Sequence, residues 1–284
     1  MPNQQTTIDM KRFLISGFFI LFSFAPASAW NLLLPNGGRT TSLGNCSVAL
    51  NDFWSCHNNP AGFASLKDIS FGFSYQNKFM LKELGYKNAG VALPLKTGVI
   101  AVSFSQFGYS IYNENIIGIG LSKNFGDKFC IGLKLDYLFF NFSGEYEDKS
   151  VPTFELGMQY NINESLCIGA YVFNPVGVKI ISLNKDKIPI IMRLGLSYYI
   201  NEEFMVTSEI EENFEHDFSY RFGLEYELYE KLFIRSGFQL NPELFTFGVG
   251  YHYKRYIVDV CAQMNQILGA SLNCSFIFKI KRNG

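Results

Sequence analysis

The feature that most constrains this chain is an alternation of period two that recurs from residue 68 to the end. In Ile69-Ser70-Phe71-Gly72-Phe73-Ser74-Tyr75, every odd position is large and apolar and every even position is small or polar. A β-strand sends successive side chains to opposite faces, so this segment has one apolar and one polar face. The pattern returns at Phe154, Leu156, Met158 and Tyr160, and at Phe218, Tyr220, Phe222, Leu224 and Tyr226. Phe245, Phe247, Val249, Tyr251 and Tyr253 repeat it, as do Tyr256, Val258, Val260, Ala262 and Met264.

Cutting the chain at turn residues such as Gly126-Asp127, Asn163-Glu164-Ser165 and Asn241-Pro242 leaves fourteen strand candidates. They span 69–77, 85–94, 97–106, 111–123, 128–142, 152–161 and 165–174, then 189–200, 204–214, 217–228, 231–240, 243–253, 255–265 and 268–281. The third and fourth alternate poorly. The gaps 78–84, 143–151 and 175–188 all follow odd-numbered strands, while gaps after even-numbered strands are short. Membrane barrels have this asymmetry, with short turns at the periplasmic end and longer loops outside.

Composition separates the barrel from its competitors. Charged residues are 17% and aromatics 17%, with a formal net charge of −1. Near-neutral charge gives no footing for a nucleic-acid binder. Mean hydropathy is +0.08, yet no stretch after the N-terminus is long and apolar enough for a spanning helix. Disorder is excluded because 48% of residues are hydrophobic. A soluble β-sandwich also alternates, but its many long strands would leave edges open, whereas closure removes them. In a bilayer every backbone group must be paired internally, which a closed barrel achieves. The expected fold is therefore all-β: a 14-stranded antiparallel transmembrane β-barrel at residues 68–284, with a small N-terminal hatch at 30–67.

Residues 1–29 read as a secretory signal peptide. Lys11 and Arg12 precede the apolar run Phe13–Phe24, and Ala27-Ser28-Ala29 supplies the small-x-small cleavage site. The expected location is the bacterial outer membrane.

The polar face of the strands carries Lys134, Asp136, Glu155, Arg193, Glu209, Arg221, Glu225, Arg235 and Asp259. Charges of both signs fit a hydrated lumen with cross-strand pairing. They either knit the inner wall together or line a substrate path. Glycines on this face, among them Gly132, Gly157, Gly169, Gly237 and Gly248, leave space inside. Unlike an eight-stranded barrel, one of fourteen strands does not fill itself with side chains, so a plug or a pore is required. Residues 30–67 do not alternate, and their Asn, Pro and Gly specify turns. They suit a compact plug folded back into the bore.

The stretch Gly38-Arg39-Thr40-Thr41-Ser42-Leu43-Gly44-Asn45-Cys46-Ser47-Val48-Ala49-Leu50, followed by Asn59-Pro60-Ala61-Gly62, resembles the start of FadL-like outer-membrane proteins. In that family a "GAR…MG…ALAD…NPAG" pattern forms the hatch. The likeness is nearest to the PorV/PorQ branch, which accompanies type IX secretion. The late strands around Pro189–Tyr198, Arg221–Tyr226 and Leu232–Phe238 are similar as well. The resemblance implies fourteen strands and a hatch motif at Asn58, Asn59, Pro60, Ala61 and Gly62. The chain departs from the pattern in having Asn51-Asp52 after "AL", in Cys56-His57, and in a C-terminus that does not end on an aromatic residue.

Catalysis finds little support. The three histidines, His57, His216 and His252, stand in no His-x-Glu, His-Glu-x-x-His or Cys-x-x-Cys spacing. No Gly-x-Ser-x-Gly or P-loop occurs. No catalytic residue, metal or cofactor is expected. Of six cysteines, Cys46 and Cys56 are the best candidate pair for a bridge, while Cys261 and Cys274 fall on opposite faces by parity. Three functions stay open: uptake of small hydrophobic compounds, a secretion accessory that holds cargo protein at the outer surface, and a purely structural barrel. The expected partners are membrane lipid with hydrophobic small molecules or a secreted cargo protein, and no nucleic acid. For uptake, the hatch near Asn58–Gly62 would be displaced, and the weakly alternating strand 97–106 is where a gap in the wall is expected. An apolar lumen pocket reaching the hatch would favour uptake. A capped lumen with an apolar rim on loops 143–151 and 175–188 would favour the accessory.

Overall fold

A computed structural model describes residues 34–143, 148–178, 188–213 and 218–281. The expected leader at 1–29, residues 30–33 of the expected hatch, 144–147, 179–187, 214–217 with His216, and 282–284 lie outside these. Fourteen strands follow one another: β1 Ile69–Asn77, β2 Gly85–Leu95, β3 Gly98–Gly108, β4 Tyr112–Phe125, β5 Phe129–Phe142, β6 Lys149–Asn161 and β7 Leu166–Phe173. The second half comprises β8 Ile191–Tyr199, β9 Phe204–Asn213, β10 Ser219–Tyr229, β11 Leu232–Leu240, β12 Leu244–Tyr253, β13 Tyr256–Asn265 and β14 Gly269–Ile280. Each pairs antiparallel with its sequence neighbour, and β1 closes on β14 from Ile69↔Ile280 to Asn77↔Leu272. Closure leaves no strand edge unpaired, as a hydrocarbon environment demands.

Parity sets the two faces. In β13, Val258, Val260 and Met264 point outward and are exposed, while Asp259, Cys261 and Gln263 are buried inside. Outward aromatic residues gather toward both ends: Tyr160, Tyr198, Tyr226, Tyr253 and Tyr256 at one, and Tyr75, Phe218, Tyr220 and Phe245 at the other. Such girdles mark the two membrane interfaces of a transmembrane barrel. The longer connectors, 78–84, 143–148 and 174–190, all follow odd strands. That end is accordingly the outer one, and residue 68 enters β1 from the opposite end.

The strand expected at 97–106 holds no gap. β3 is paired along its length with β2, from Tyr86↔Phe107 to Leu95↔Gly98, and with β4, from Val99↔Ser122 to Gly108↔Asn113. Its poor alternation has another cause. The inward Val99 and Ala101 pack against Phe53, Trp54, Cys56 and Phe63, so both faces of this strand are apolar.

Candidate functional site

Residues 34–67 lie inside the bore as two short helices, α1 Gly38–Ser42 and α2 Ser55–Asn58, and a 3-10 turn at Gly62–Ser65. Helices this short carry little stability of their own; side-chain hydrogen bonds hold them. The Asn58 amide nitrogen donates to the Asn36 carbonyl at 2.9 Å and to Thr40 Oγ1 at 3.2 Å, while its Oδ1 accepts from the Asn36 N–H at 2.7 Å. Asn59 Nδ2 donates to the Val48 carbonyl at 2.6 Å, and its Oδ1 accepts from the Ala61 N–H at 3.1 Å. The Ala61 carbonyl accepts from Ser122 Oγ on β4 at 3.1 Å. Pro60 lies against Gly132, and Gly62 is wedged against Leu50 and Ser55. The Asn58–Gly62 turn thus ties the two halves of the segment together and fastens them to the wall.

The inner glycines serve this contact. A Cβ at Gly157 would collide with the Asn59 amide, and one at Gly237 with the backbone of Gly44. Gly44 itself has φ +65°, a conformation natural to glycine, and presses on the Phe222 and Phe238 backbone.

All nine charged residues on the polar face are buried within the barrel. They form three groups. Lys134 faces Glu155 across β5–β6, with Nζ 3.0 Å from Oε1 and 3.4 Å from Asp136 Oδ1. Lys134 also donates to the Cys56 carbonyl at 3.5 Å. In the second group Arg193 pairs with Glu211 directly opposite on β9, and Arg221 reaches Glu209 at 2.6 Å and Glu211 at 2.7 Å. The other oxygen of Glu209 accepts the N–H groups of Ser47 and Val48 at 2.6 and 2.7 Å. In the third, Arg235 bridges Glu225 and Asp259, each at 2.6 Å. Arg39 of α1 grips the same Glu225 with two nitrogens, at 2.8 and 2.6 Å, and Asp52 with a third at 3.1 Å. Buried pairs of this kind fix geometry more surely than they add net stability. Here three hatch elements are clamped to wall charges.

Two hatch residues in these networks, Arg39 and Asp52, had no role in the sequence reading, and neither had His57 beside them. Of the wall residues, Glu211 was missed although it shares the parity of Glu209. Burial opposes the Arg39 charge, but Glu225 and then Asp52 outweigh it and hold the guanidinium pKa above its ordinary value. Burial, reinforced by Lys134, lowers His57 to about 3. Its Nε2 faces the Phe104 carbonyl at 3.4 Å, so that nitrogen carries the hydrogen and Nδ1 accepts from Cys56 Sγ at 3.1 Å. Burial pushes the Cys56 thiol up to about 12. Cys46 and Cys56, the best candidate pair for a bridge, are both free thiols. Each packs into a different cluster, Cys46 with Leu43 and Leu50 and Cys56 with Trp54 and Phe63. Cys261 is buried and Cys274 is exposed on the neighbouring strand, the opposite faces that parity gives. His252 packs on the Phe233 ring, and Asp259 bonds to Arg235 and Ser275. Among the described residues, no cluster of His, Cys, Asp and Glu could hold a metal ion.

Toward the outer end the inner face turns apolar. Tyr86, Phe107, Leu138, Phe140, Val151, Phe173 and Ile191 form one buried cluster that continues down to Val48 and Ala49 of the hatch. Where it meets the charged groups, a cavity of about 20 Å³ opens. Leu34, Ile116, Phe173 and Ile191 line one side, and Asn36, His57, Ser103, Lys134 and Glu155 the other. A larger hollow of about 590 Å³ runs along the outside of the wall past Leu156, Met158, Ala170, Met192 and Leu194. These side chains face outward, so that space belongs to lipid.

Compared by sequence, the chain matches no protein-family description and no curated protein. Compared by structure, it is similar to solved outer-membrane barrels. The Pseudomonas putida toluene transporter TodX is 11% identical with a TM-score of 0.66, over 90% of this chain and 100% of that one. The Ralstonia pickettii toluene transporter TbuX gives 11% and 0.66, over 88% and 99%. A Pseudomonas aeruginosa FadL homologue gives 10% and 0.56, over 84% and 96%. At these identities the likeness establishes the fold, a FadL-like barrel of fourteen strands.

Proposed function

We propose that this protein is a non-enzymatic outer-membrane channel for small hydrophobic compounds, exported through a leader at residues 1–29 and plugged by a hatch at 30–67. The observation that carries this reading is the inner apolar cluster. It runs from Tyr86 and Phe140 near the outer mouth to Val48 and Ala49 of the hatch. The cluster closes the mouth with apolar side chains at most 7% exposed, surroundings that favour a hydrophobe over an ion. The structural neighbours named as toluene transporters support the same reading. In the mechanism, a hydrophobe partitions from water into the outer cluster, whose apolar surface lowers its free energy by about 25 cal/mol per Å² buried. The hatch then yields near Asn58–Gly62. The nine wall charges and the Asn58, Asn59, Pro60, Ala61 and Gly62 turn hold and guide it.

Proteoliposomes test the proposal. Entry of a labelled hydrophobe, a fatty acid or an alkylbenzene, is expected to rise over protein-free vesicles, and no rise sinks the reading.

A second reading, a secretion accessory of PorV/PorQ type that binds cargo protein, draws support from one observation. Met80 and Leu81 on the β1–β2 connector and Ile267 and Leu268 on the β13–β14 connector are exposed at the outer rim, between neighbouring strands. Deleting the gene would then leave a secreted protein unprocessed, and normal secretion would exclude that role.

A further inference from the structure

The inner end of the barrel, opposite the long connectors, divides by charge. Its short turns follow in chain order round a closed wall, so position in the sequence is also position on the circumference. Lys96 lies in the β2–β3 turn, Lys123 near the end of β4 and Lys128 in the β4–β5 turn. Lys254 and Arg255 form the β12–β13 turn, and Lys281 follows β14. All six are exposed. Because β1 pairs with β14, they share one unbroken arc that runs from β12 through β1 to β5. Asp127 is the one exposed acid on this arc among the described residues, and Lys67 and Asp68 ahead of β1 cancel. The turns across the barrel are acidic: Glu164 between β6 and β7, Glu202 and Glu203 between β8 and β9, and Glu230 between β10 and β11, with Lys231 as their one base. A formal net charge of −1 conceals this split.

None of the six cations stands in an ion pair. Two of them lie beside exposed rings of the outer face. Lys254 Nζ is 5.2 Å from the centre of the Tyr253 ring, and Lys123 Nζ is 5.4 Å from that of Phe125. Lys123 shares the outward parity of Leu121 and Phe125, so it projects from the outside of the wall and not into the bore. Aromatic girdles mark the depth of the lipid headgroups, and a lysine there keeps its ammonium among them. Cations placed sideways at that depth meet lipid before they meet a soluble protein.

We infer that the basic arc binds lipids with an anionic phosphate headgroup in the leaflet at the inner end, and that the acidic arc does not, so that such lipids gather on one side of the protein. The phosphate accepts charge-assisted hydrogen bonds from the lysines and Arg255, and the acyl chains lie along the exposed Leu121, Val258 and Phe276. A zwitterionic head brings no net charge to the arc. This inference rests on the membrane barrel and not on what passes through it.

Spin-labelled phosphatidylglycerol and phosphatidylcholine in vesicles holding the full chain test it, the immobilised fraction of each label giving their relative affinity. One cation near an anionic head favours it about fivefold, and with about a quarter of the surrounding lipids on the arc, the ratio averaged over all positions is expected to be about two. It should fall to about one in about 1 M salt, where the screening length is about 3 Å. Lys96→Gln, Lys123→Gln, Lys128→Gln, Lys254→Gln and Arg255→Gln combined should also bring it to about one, with heat-modifiable gel migration reporting the fold. Glu164→Gln, Glu202→Gln, Glu203→Gln and Glu230→Gln combined should not lower it. A native ratio of one, or a ratio of two that survives in the folded basic-arc variant or in high salt, overturns the inference and leaves the membrane barrel standing. If that variant does not fold, the salt series on the native chain decides. No immobilised lipid of either kind overturns the membrane reading as well.

Discussion

Replacing Arg39 by methionine removes the clamp that α1 places on the wall, and the structure allows its size to be worked out. The guanidinium spends two nitrogens on Glu225 and one on Asp52, with 16% of its side chain exposed. Breaking a buried pair by removing one partner costs about 3–5 kcal/mol. The lower end applies, because Glu225 keeps Arg235 and the site is not fully dry. About 3 kcal/mol is about a hundredfold in the equilibrium between seated and released hatch. Cys56 supplies the readout. It is buried in α2 with its thiol pushed up to about 12, so it is inert to maleimide while the hatch is seated. Where the hatch reseats faster than the reagent reacts, labelling follows the released population. Peptide mass spectrometry separates its labelling from that of the other cysteines. The rate at Cys56 is expected to rise about a hundredfold in Arg39→Met. In Arg39→Met combined with Glu225→Leu the rate should return part of the way, because Glu225 is then not left behind unpaired and Arg235 retains Asp259, while Asp52 still lacks its partner. A rise of less than about threefold in the single variant, with the barrel folded, would show that the ion pair does not hold the hatch.

Other consequences follow from the same geometry. His57 drops from an ordinary value of 6.5 to about 3 when the hatch is seated, so the released state binds a proton first and seating weakens as pH falls from 6.5 toward 3. At about pH 4.5 the loss reaches about 3 kcal/mol; channel openings in planar bilayers should become more frequent on acidification, and His57→Gln should flatten that dependence. Gly157→Val places a side chain where the Asn59 amide sits, and an overpacking cost of about 1–3 kcal/mol should raise Cys56 labelling about fivefold or more. Val260→Lys puts a charge at mid-height on the outer face, where Val260 is 53% exposed. Urea titration in lipid vesicles should show a loss of about 2–4 kcal/mol, and a loss under about 0.5 would mean that this face does not meet lipid.

The wall was legible in the sequence because each strand's requirement is local. A residue facing lipid must be apolar whatever its partner is, so parity along one strand suffices, and turn residues cut the strands to within a few positions. β1 runs over the expected 69–77, and β6 begins at Lys149 rather than 152. The inner face was legible only where it is charged. Its apolar outer third was not, for a physical reason. In Leu138-Phe139-Phe140 both parities are apolar, because Leu138 and Phe140 pack inside while Phe139 lies on the other side. Two apolar faces erase the alternation that reports which is which. The same effect made β3 look like a flaw in the wall when it is a strand with the hatch against its back.

The hatch was legible as a turn-rich segment but not as a set of contacts, since its contacts are made by residues distant in sequence. Arg39 is defined by Glu225, and Ser47 by Glu209. The two halves of that interface divide the labour. On β14, β2 and β3 the hatch meets the wall through Phe53, Trp54 and Phe63 against Ala92, Val99, Ala101 and Ile277, and burial of such surface drives seating without directing it. On β9 and β10 the contact is carried by carboxylates that accept from particular hatch groups: Glu209 from Ser47 and Val48, Glu225 from Arg39. A charge left unpaired by a slipped register would be far more costly than a misplaced methyl group, so the polar side sets where the hatch sits.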